Sequence, residues 1–301
     1  MVYDCVIVGG GPAGLTAGIY LARANKKVAI IERMAFGGQV AEIGMIENYP
    51  GFPQVSGMEL SNNMLTQAKT SGAEVFSGEV LSYDFSDEIK KVKTTKQTFE
   101  GKTIILALGS ISRRLCVSNE KKFIGSGLSY CATCDGNFFK NKTVAIVGTG
   151  DSAVSSAKYL ENIVDKIYII SKYEKLHTKA YLPNVVDELK NTQVIYNAKT
   201  QEILGKDKVE GIKVEHDGRV EDIKVDGIFV SIGRMPNTEN LIDQIDLDEK
   251  GYIKVDTNML TNVAGVFGAG DVTNCGLKQI VTAASSGAIA GTSALKYLSK
   301  N

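Results

Sequence analysis

The chain opens with an apolar run, Cys5 to Val8, whose length and continuity predict a buried strand. A glycine-rich turn follows, and then Leu15, Gly18, Ile19 and Ala22 recur at i, i+3, i+4 and i+7, the spacing of one helix face. A second apolar run closes on Glu32. Residues 3–32, "YDCVIVGGGPAGLTAGIYLARANKKVAIIE", therefore read as strand, tight turn, helix, strand. The same alternation returns at residues 142–171, where Ala153, Ala157 and Leu160 mark the helix face and "IYII" forms the closing strand. No apolar run approaches the roughly 18 residues that would span a bilayer.

The turn of the first unit holds Gly9, Gly11 and Gly14 as G-x-G-x-x-G. The first glycine permits a sharp turn, the second lets a pyrophosphate approach the backbone, and the third lets helix pack on strand. The phosphates would rest on the N–H groups and positive dipole end of the helix. Glu32 stands 23 residues after Gly9, near the spacing expected of a carboxylate that accepts ribose hydroxyls. Three spaced glycines alone are a weak signal, but strand, helix and acid around them make a dinucleotide-binding unit.

In the second unit Gly148, Gly150 and Ala153 supply G-x-G-x-x-A, yet the position matching Glu32 is Ser171. A serine cannot accept two ribose hydroxyls as a carboxylate does. A reader of a 2′-phosphate would use arginines, and none occurs between Arg114 and Arg219. Lys172, Lys175 and Lys179, with His177, form a small basic group there. It reads either as a point-charge phosphate site or as a solvated face.

Composition excludes several classes. With 34 basic and 34 acidic residues the chain has no electrostatic footprint for nucleic acid or anionic membranes. A length of 301 residues suits two modest domains, and 31 glycines against five prolines fit backbone that approaches ligands closely. The N-terminus starts a strand with no basic n-region, so the expected location is cytoplasmic.

Cys131 and Cys134 form a C-x-x-C followed by Asp135. Zinc would need four ligands. The other cysteines (5, 116 and 275) are scattered and the histidines are only His177 and His216, so no metal is expected. A C-x-x-C beside dinucleotide-binding units reads as a redox dithiol, with Asp135 placed to shuttle the proton that each exchange needs. Cys5 reads as core packing.

The order of these motifs resembles the low-molecular-weight thioredoxin reductases. The likeness runs over essentially the whole chain: "GGGPAG", "GGQ" at 37–39, "IENYPGF" at 46–52, "ALGS" at 107–110, "CATCDG" at 131–136, "SIGRMPNT" at 231–238 and "GVFGAGDV" at 265–272. The resemblance implies an α/β fold of two Rossmann-like dinucleotide-binding domains, of the pyridine nucleotide-disulfide oxidoreductase type, with the second inserted in the first. The FAD domain would comprise 1–113 and 244–301, and the inserted NAD(P)H-like domain with the dithiol 114–243. FAD contacts are implied at Gly9, Gly11, Pro12, Ala13, Gly14, Glu32, Gly37, Gly38, Gln39 and Asn48. Further contacts are implied at Val80 (by backbone), Gly109, Asp271, Lys278 (usually arginine in the family), Gln279 and Ile280. By position Cys134 would face the flavin, Cys131 would attack thioredoxin and Asp135 would act as acid–base group. The inserted domain rotates in relatives, and relatives are homodimers.

One departure concerns the electron source. NADPH-dependent relatives carry H-R-R-x-x-x-R where residues 171–177 read "SKYEKLH". The missing arginines resemble the ferredoxin-dependent flavin thioredoxin reductases, which makes reduced ferredoxin the expected donor. NADPH or NADH at a non-standard site is the alternative, since the G-T-G-D-S-A turn is retained. Another dithiol or peroxiredoxin-type partner, and a non-catalytic flavin carrier, are the remaining readings. The intact C-A-T-C-D argues against the last.

Overall fold

The computed structural model describes residues 1–178 and 188–300; Lys179 of the basic group lies outside the described residues. The chain divides into two compact units, Met1–Ile111 with Met235–Asn301, and Ser112–Arg234. Both are α/β units of Rossmann type, the second inserted in the first.

In the first unit the strands β1 (Val2–Val8), β2 (Val28–Glu32) and β3 (Glu74–Ser77) run parallel, with helix α1 (Pro12–Arg23) between β1 and β2 and α2 (Gly57–Thr70) before β3. Strands β4 (Val80–Asp84), β5 (Lys90–Thr94) and β6 (Thr98–Leu106) follow, and the sheet order is β3-β2-β1-β6-β5-β4. Strand alternation explains the double burial of β1. Cys5 and Ile7 face one core with Leu15 and Ile30, while Val6 and Val8 face the other with Ile31 and Leu106. All four apolar side chains leave water, each contributing about 1.5–3 kcal/mol for the larger ones.

The second unit begins in β7 (Ser110–Ser112) and contains the short helix α3 (Glu120–Phe123), strand β8 (Leu128–Ser129) and helix α4 (Ala132–Asp135). Strand β9 (Thr143–Val147), helix α5 (Asp151–Leu160) and strand β10 (Lys166–Ile170) form its nucleotide-binding motif. After β11 (Thr192–Ile195) come β12 (Ala198–Leu204), β13 (Gly211–His216) and β14 (Arg219–Lys224), an antiparallel three-stranded sheet. With β15 (Gly227–Val230) the parallel sheet has the order β11-β10-β9-β15-β8. Alternation sends Val144 and Ile146 of β9 towards Ala153, Ala157 and Leu160 of α5. It sends Ala145 and Val147 towards Ile203, Ile212 and Val214 of the antiparallel sheet. Both helix faces read from the sequence are buried.

The chain leaves through β16 (Arg234–Pro236) and adds β17 (Val266–Gly268), parallel to β6, and the long helix α6 (Ile280–Leu298). Small residues let α6 lie close on α1: a Cβ on Gly287 would sit 2.1 Å from the Ala13 carbonyl oxygen. The unit boundary falls at 234/235, nine residues before the sequence-based expectation. The cause is packing: Leu241 is fully buried in the first unit's core, and Asn237 donates from its backbone to Gly109 and from its amide to Leu108. Among the described residues no helix is long and apolar enough to cross a membrane.

Candidate functional site

The first turn is built by close backbone approach. Gly9 has φ +111°, and a Cβ there would lie 2.1 Å from the Ala107 carbonyl oxygen; one on Gly14 would lie 1.9 Å from that of Gly9. Glu32 ends β2 with one carboxylate oxygen accepting from the Gly10 N–H (2.7 Å) and the other from the Met34 N–H (2.9 Å). The loop after β2 returns to the turn, where the Gly37 N–H donates to the Gly10 carbonyl at 2.7 Å. Gln39 reaches from that loop to the Ser110 carbonyl, beside Gly109. Two residues before Val80, the Gly78 N–H donates to the Glu32 carbonyl at 2.9 Å, which brings the start of β4 to the same region.

The remaining predicted contacts arrive from the C-terminal part of the unit. Gly270, next to Asp271, comes against Ala13, so that a Cβ added to it would meet the Ala13 Cβ at 2.9 Å, and its N–H donates to Ser286 at 2.8 Å. Asn48 donates to Gln279, the N-cap of α6, at 3.2 Å, and Ile280 is the first residue of that helix. Lys278 donates to the Thr273 carbonyl in its own loop, and its ammonium lies 4.6 Å from the centroid of the Tyr252 ring.

These residues fit a dinucleotide. A Cβ on Gly11 would have only the Gly37 oxygen near it, at 3.9 Å, and one on Gly109 only the Gln39 amide, at 3.8 Å. The missing side chains leave floor space that a ligand can fill and a Cβ would invade. Helix α1 starts at Pro12 with no side-chain cap on its first N–H groups, as a phosphate-binding helix requires.

In the second unit Cys131 and Cys134 are joined as a disulfide, with Cα atoms 5.3 Å apart, spanning the first turn of α4. Ser129 grips this loop: its hydroxyl accepts from the Cys131 N–H at 3.0 Å and donates to the Cys131 carbonyl at 3.3 Å. Burial pushes the Asp135 carboxyl above the ordinary range, while the nearby Ser129 hydroxyl opposes the shift. A carboxyl that holds its proton longer than usual is suited to donate it beside a thiolate. Cys5 is buried, with its thiol pushed up to about 12 by desolvation, as packing demands; Cys116 is exposed and Cys275 half-buried.

At the second turn Gly148 packs against the Ser231 carbonyl oxygen, which a Cβ would meet at 2.4 Å, and His177 donates its N–H to Thr149 at 2.7 Å. Ser171 is wholly buried. Its hydroxyl donates to the Tyr173 carbonyl at 3.0 Å and accepts from the Tyr173 N–H at 3.3 Å. It is turned into its own loop. The Tyr173 and His177 rings stack at 4.4 Å, and the Lys172 ammonium lies over the Tyr173 face at 4.8 Å.

Sequence reading passed over Ser129 and Gly10. Ser129 belongs to no period or motif and acts through the fold of its own loop. A Cβ on Gly10 would strike the Phe36 ring at 2.6 Å, and the run of three glycines was the available signal.

Comparison with known proteins agrees with this geometry. Residues 3–287 match the family model described as pyridine nucleotide-disulphide oxidoreductase. A thioredoxin reductase of Listeria monocytogenes is 40% identical over 300 residues, covering 99% of this chain and 94% of that protein. Among solved structures, a thioredoxin reductase from Streptococcus pyogenes superposes with a TM-score of 0.93 at 37% identity, covering 100% of this chain and 99% of that one. A ferredoxin-flavin thioredoxin reductase from Clostridium acetobutylicum matches at 0.55 and 30% identity, over 100% of this chain and 99% of that one.

Proposed function

Because the chain belongs to the pyridine nucleotide-disulphide oxidoreductase family, we propose that it is a FAD-dependent thioredoxin reductase working through Cys131 and Cys134. The disulfide between these two residues, beside an acid whose carboxyl burial pushes above the ordinary range, is the observation that carries the reading. FAD is held by the glycine turn, Glu32 and the Gly37–Gln39 loop, with Gly109, Asp271 and the start of α6 completing the set. When bound it supplies the two-electron relay between donor and disulfide.

The exchange itself belongs to this chain's residues. Two electrons and two protons open the Cys131–Cys134 bond to a dithiol. The Cys131 thiolate then attacks the disulfide of thioredoxin, forming a mixed disulfide and releasing one thioredoxin thiolate. The Cys131 proton passes to solvent as its thiolate forms. Asp135 supplies a proton to the first departing thiolate and recovers it when Cys134 is deprotonated to resolve the mixed disulfide. The second departing thiolate takes its proton from solvent. The products are the regenerated Cys131–Cys134 disulfide and reduced thioredoxin. Substitution of either cysteine by serine is expected to leave FAD bound and lower disulfide turnover by at least about a thousandfold. Survival of activity in both variants would defeat the reading. Three free cysteines alongside a dithiol that must be reduced each cycle suit the cytoplasm. A pair of chains is part of the same proposal, open to light scattering.

Reduced ferredoxin is the donor this reading favours. Its support is Ser171, buried and bonded to Tyr173 where a ribose-binding carboxylate would stand, together with the absence of arginine from 171–177. Ferredoxin clusters near about −400 mV feeding thioredoxin near about −270 mV leave roughly 130 mV, or about 6 kcal/mol over two electrons. A nicotinamide donor is the second reading. The open space above Gly150 favours it, since a Cβ there would meet only the His177 oxygen at 3.7 Å. Anaerobic mixing with NADPH, NADH or reduced ferredoxin, followed by flavin absorbance, separates the two. Rapid bleaching by micromolar NADPH would overturn the ferredoxin assignment.

A further inference from the structure

We propose that Glu120 is a positioning residue for the dithiol, holding the loop that presents Cys131 through the hydroxyl of Tyr130. Glu120 opens the short helix α3 and is 3% exposed. A carboxylate so buried needs several donors, and it has three. One oxygen accepts from the Leu115 N–H at 2.7 Å and from the Tyr130 hydroxyl at 2.7 Å; the other accepts from the Cys116 N–H at 2.8 Å. The helix itself is anchored by Phe123, which is fully buried in the core between the two sheets of the unit.

The two ends of this network differ in what they do. Leu115 and Cys116 lie where the chain enters the unit, and Cys116 has φ +58°, a left-handed conformation that a non-glycine residue keeps only under constraint. Those two bonds serve the entry segment. The third goes to the residue directly before Cys131. Tyr130 is thus fixed through its ring, Ser129 fixes the Cys131 N–H and carbonyl, and the backbone leading into the disulfide is pinned on both sides. The Tyr130 phenol is held in its neutral, donating form, first by desolvation and then by its bond to Glu120.

A pinned loop keeps the two sulfurs of the reduced pair close, and that favours ring closure over the open dithiol. Loosening it is expected to make the disulfide easier to reduce and the dithiol a weaker reductant. The proposal rests on Cys131 and Cys134 being the redox pair, but not on the identity of the donor or of the final acceptor.

The test is an equilibrium titration of the FAD-loaded full chain against dithiothreitol, with free thiols counted. In it the Cys131–Cys134 bond opens to two thiols as dithiothreitol closes to its cyclic disulfide, two electrons and two protons passing between them. Tyr130→Phe removes only the link to the loop and leaves the Leu115 and Cys116 bonds in place. It should shift the constant about tenfold towards the dithiol, equivalent to about 30 mV, with little change in melting temperature. Glu120→Gln should shift it in the same direction and also lower the melting temperature. The double variant should shift it no further than the larger single change. A Tyr130→Phe constant within twofold of the unsubstituted chain overturns the role of Glu120. A wild-type pair that dithiothreitol cannot open would defeat the redox reading instead, so the two failures are distinguishable.

Discussion

At the end of β2, Glu32 spreads its carboxylate over the N–H groups of Gly10 and Met34; after β10, Ser171 folds its hydroxyl onto Tyr173. The frames beneath are alike. Gly9 presses on the Ala107 carbonyl as Gly148 presses on that of Ser231, and the Gly10 and Thr149 carbonyls each accept an N–H from a returning loop at 2.7 Å. In the first unit the returning residue is Gly37, followed by Gly38, both with positive φ and no side chain to cover the turn. In the second it is His177, whose ring stacks on Tyr173. Glycine spacing therefore reports the backbone path, which strand–helix packing maintains by itself. The two units differ instead at the strand end and in the returning loop, where Glu32 and Gly37 stand against Ser171 and His177.

The largest expected effect lies at the third position of the two turns. Gly14→Ala places a Cβ within 1.9 Å of the Gly9 oxygen, so it should cost about 3 kcal/mol or more and strip most of the FAD, read as flavin absorbance per protein. Ala153 already carries that methyl group in the second turn. Ala153→Gly should cost about 1 kcal/mol and leave flavin content unchanged. Equal FAD retention by the two variants would erase the distinction between the turns.

A smaller effect is expected at the strand ends. Glu32→Ala removes the acceptor of two backbone N–H groups, a loss of about 1.5–3 kcal/mol, and should weaken FAD binding tenfold or more by fluorescence titration. Ser171→Ala should cost about 1 kcal/mol and leave FAD affinity as it is. The comparison fails if Ser171→Ala weakens the flavin as Glu32→Ala does.

The smallest effect concerns the acid that follows the Cys131–Cys134 disulfide in the second unit. Burial raises the Asp135 carboxyl, so the folded state holds this proton at a pH where the unfolded chain has released it. The group stabilises the fold below its unfolded value, near about 3.9, and that contribution is lost as pH rises through the raised folded value. Asp135→Asn should therefore melt slightly higher than the parent at neutral pH, with the gain disappearing on acidification, while the fall in rate as pH rises through the Asp135 pKa is lost. A melting difference independent of pH would show that the carboxyl is not perturbed in the fold.

Much of the fold was legible because it is local. Leu15, Gly18, Ile19 and Ala22, and again Ala153, Ala157 and Leu160, announce their buried faces through a spacing that depends only on helix geometry. The dithiol was legible for the same reason, since two cysteines three residues apart reach each other across one turn. The exit of the inserted unit was not, because Leu241 buries against strands more than a hundred residues earlier in the chain and no pattern around it says so. Nor did anything beside Lys278 in sequence point to the Tyr252 ring that it covers.

By itself, then, the sequence determined two strand–turn–helix units, a Cys-x-x-Cys pair between them and a second unit with Ser171 where the first has Glu32. Tertiary structure alone decided that the Ser171 hydroxyl is spent on Tyr173, that Gly270 comes to rest on Ala13, and that Glu120 bonds Tyr130. Periodicity and spacing record what a chain does within a few turns of itself. Which distant polar groups find each other is settled only when the core closes and most buried polar groups find partners.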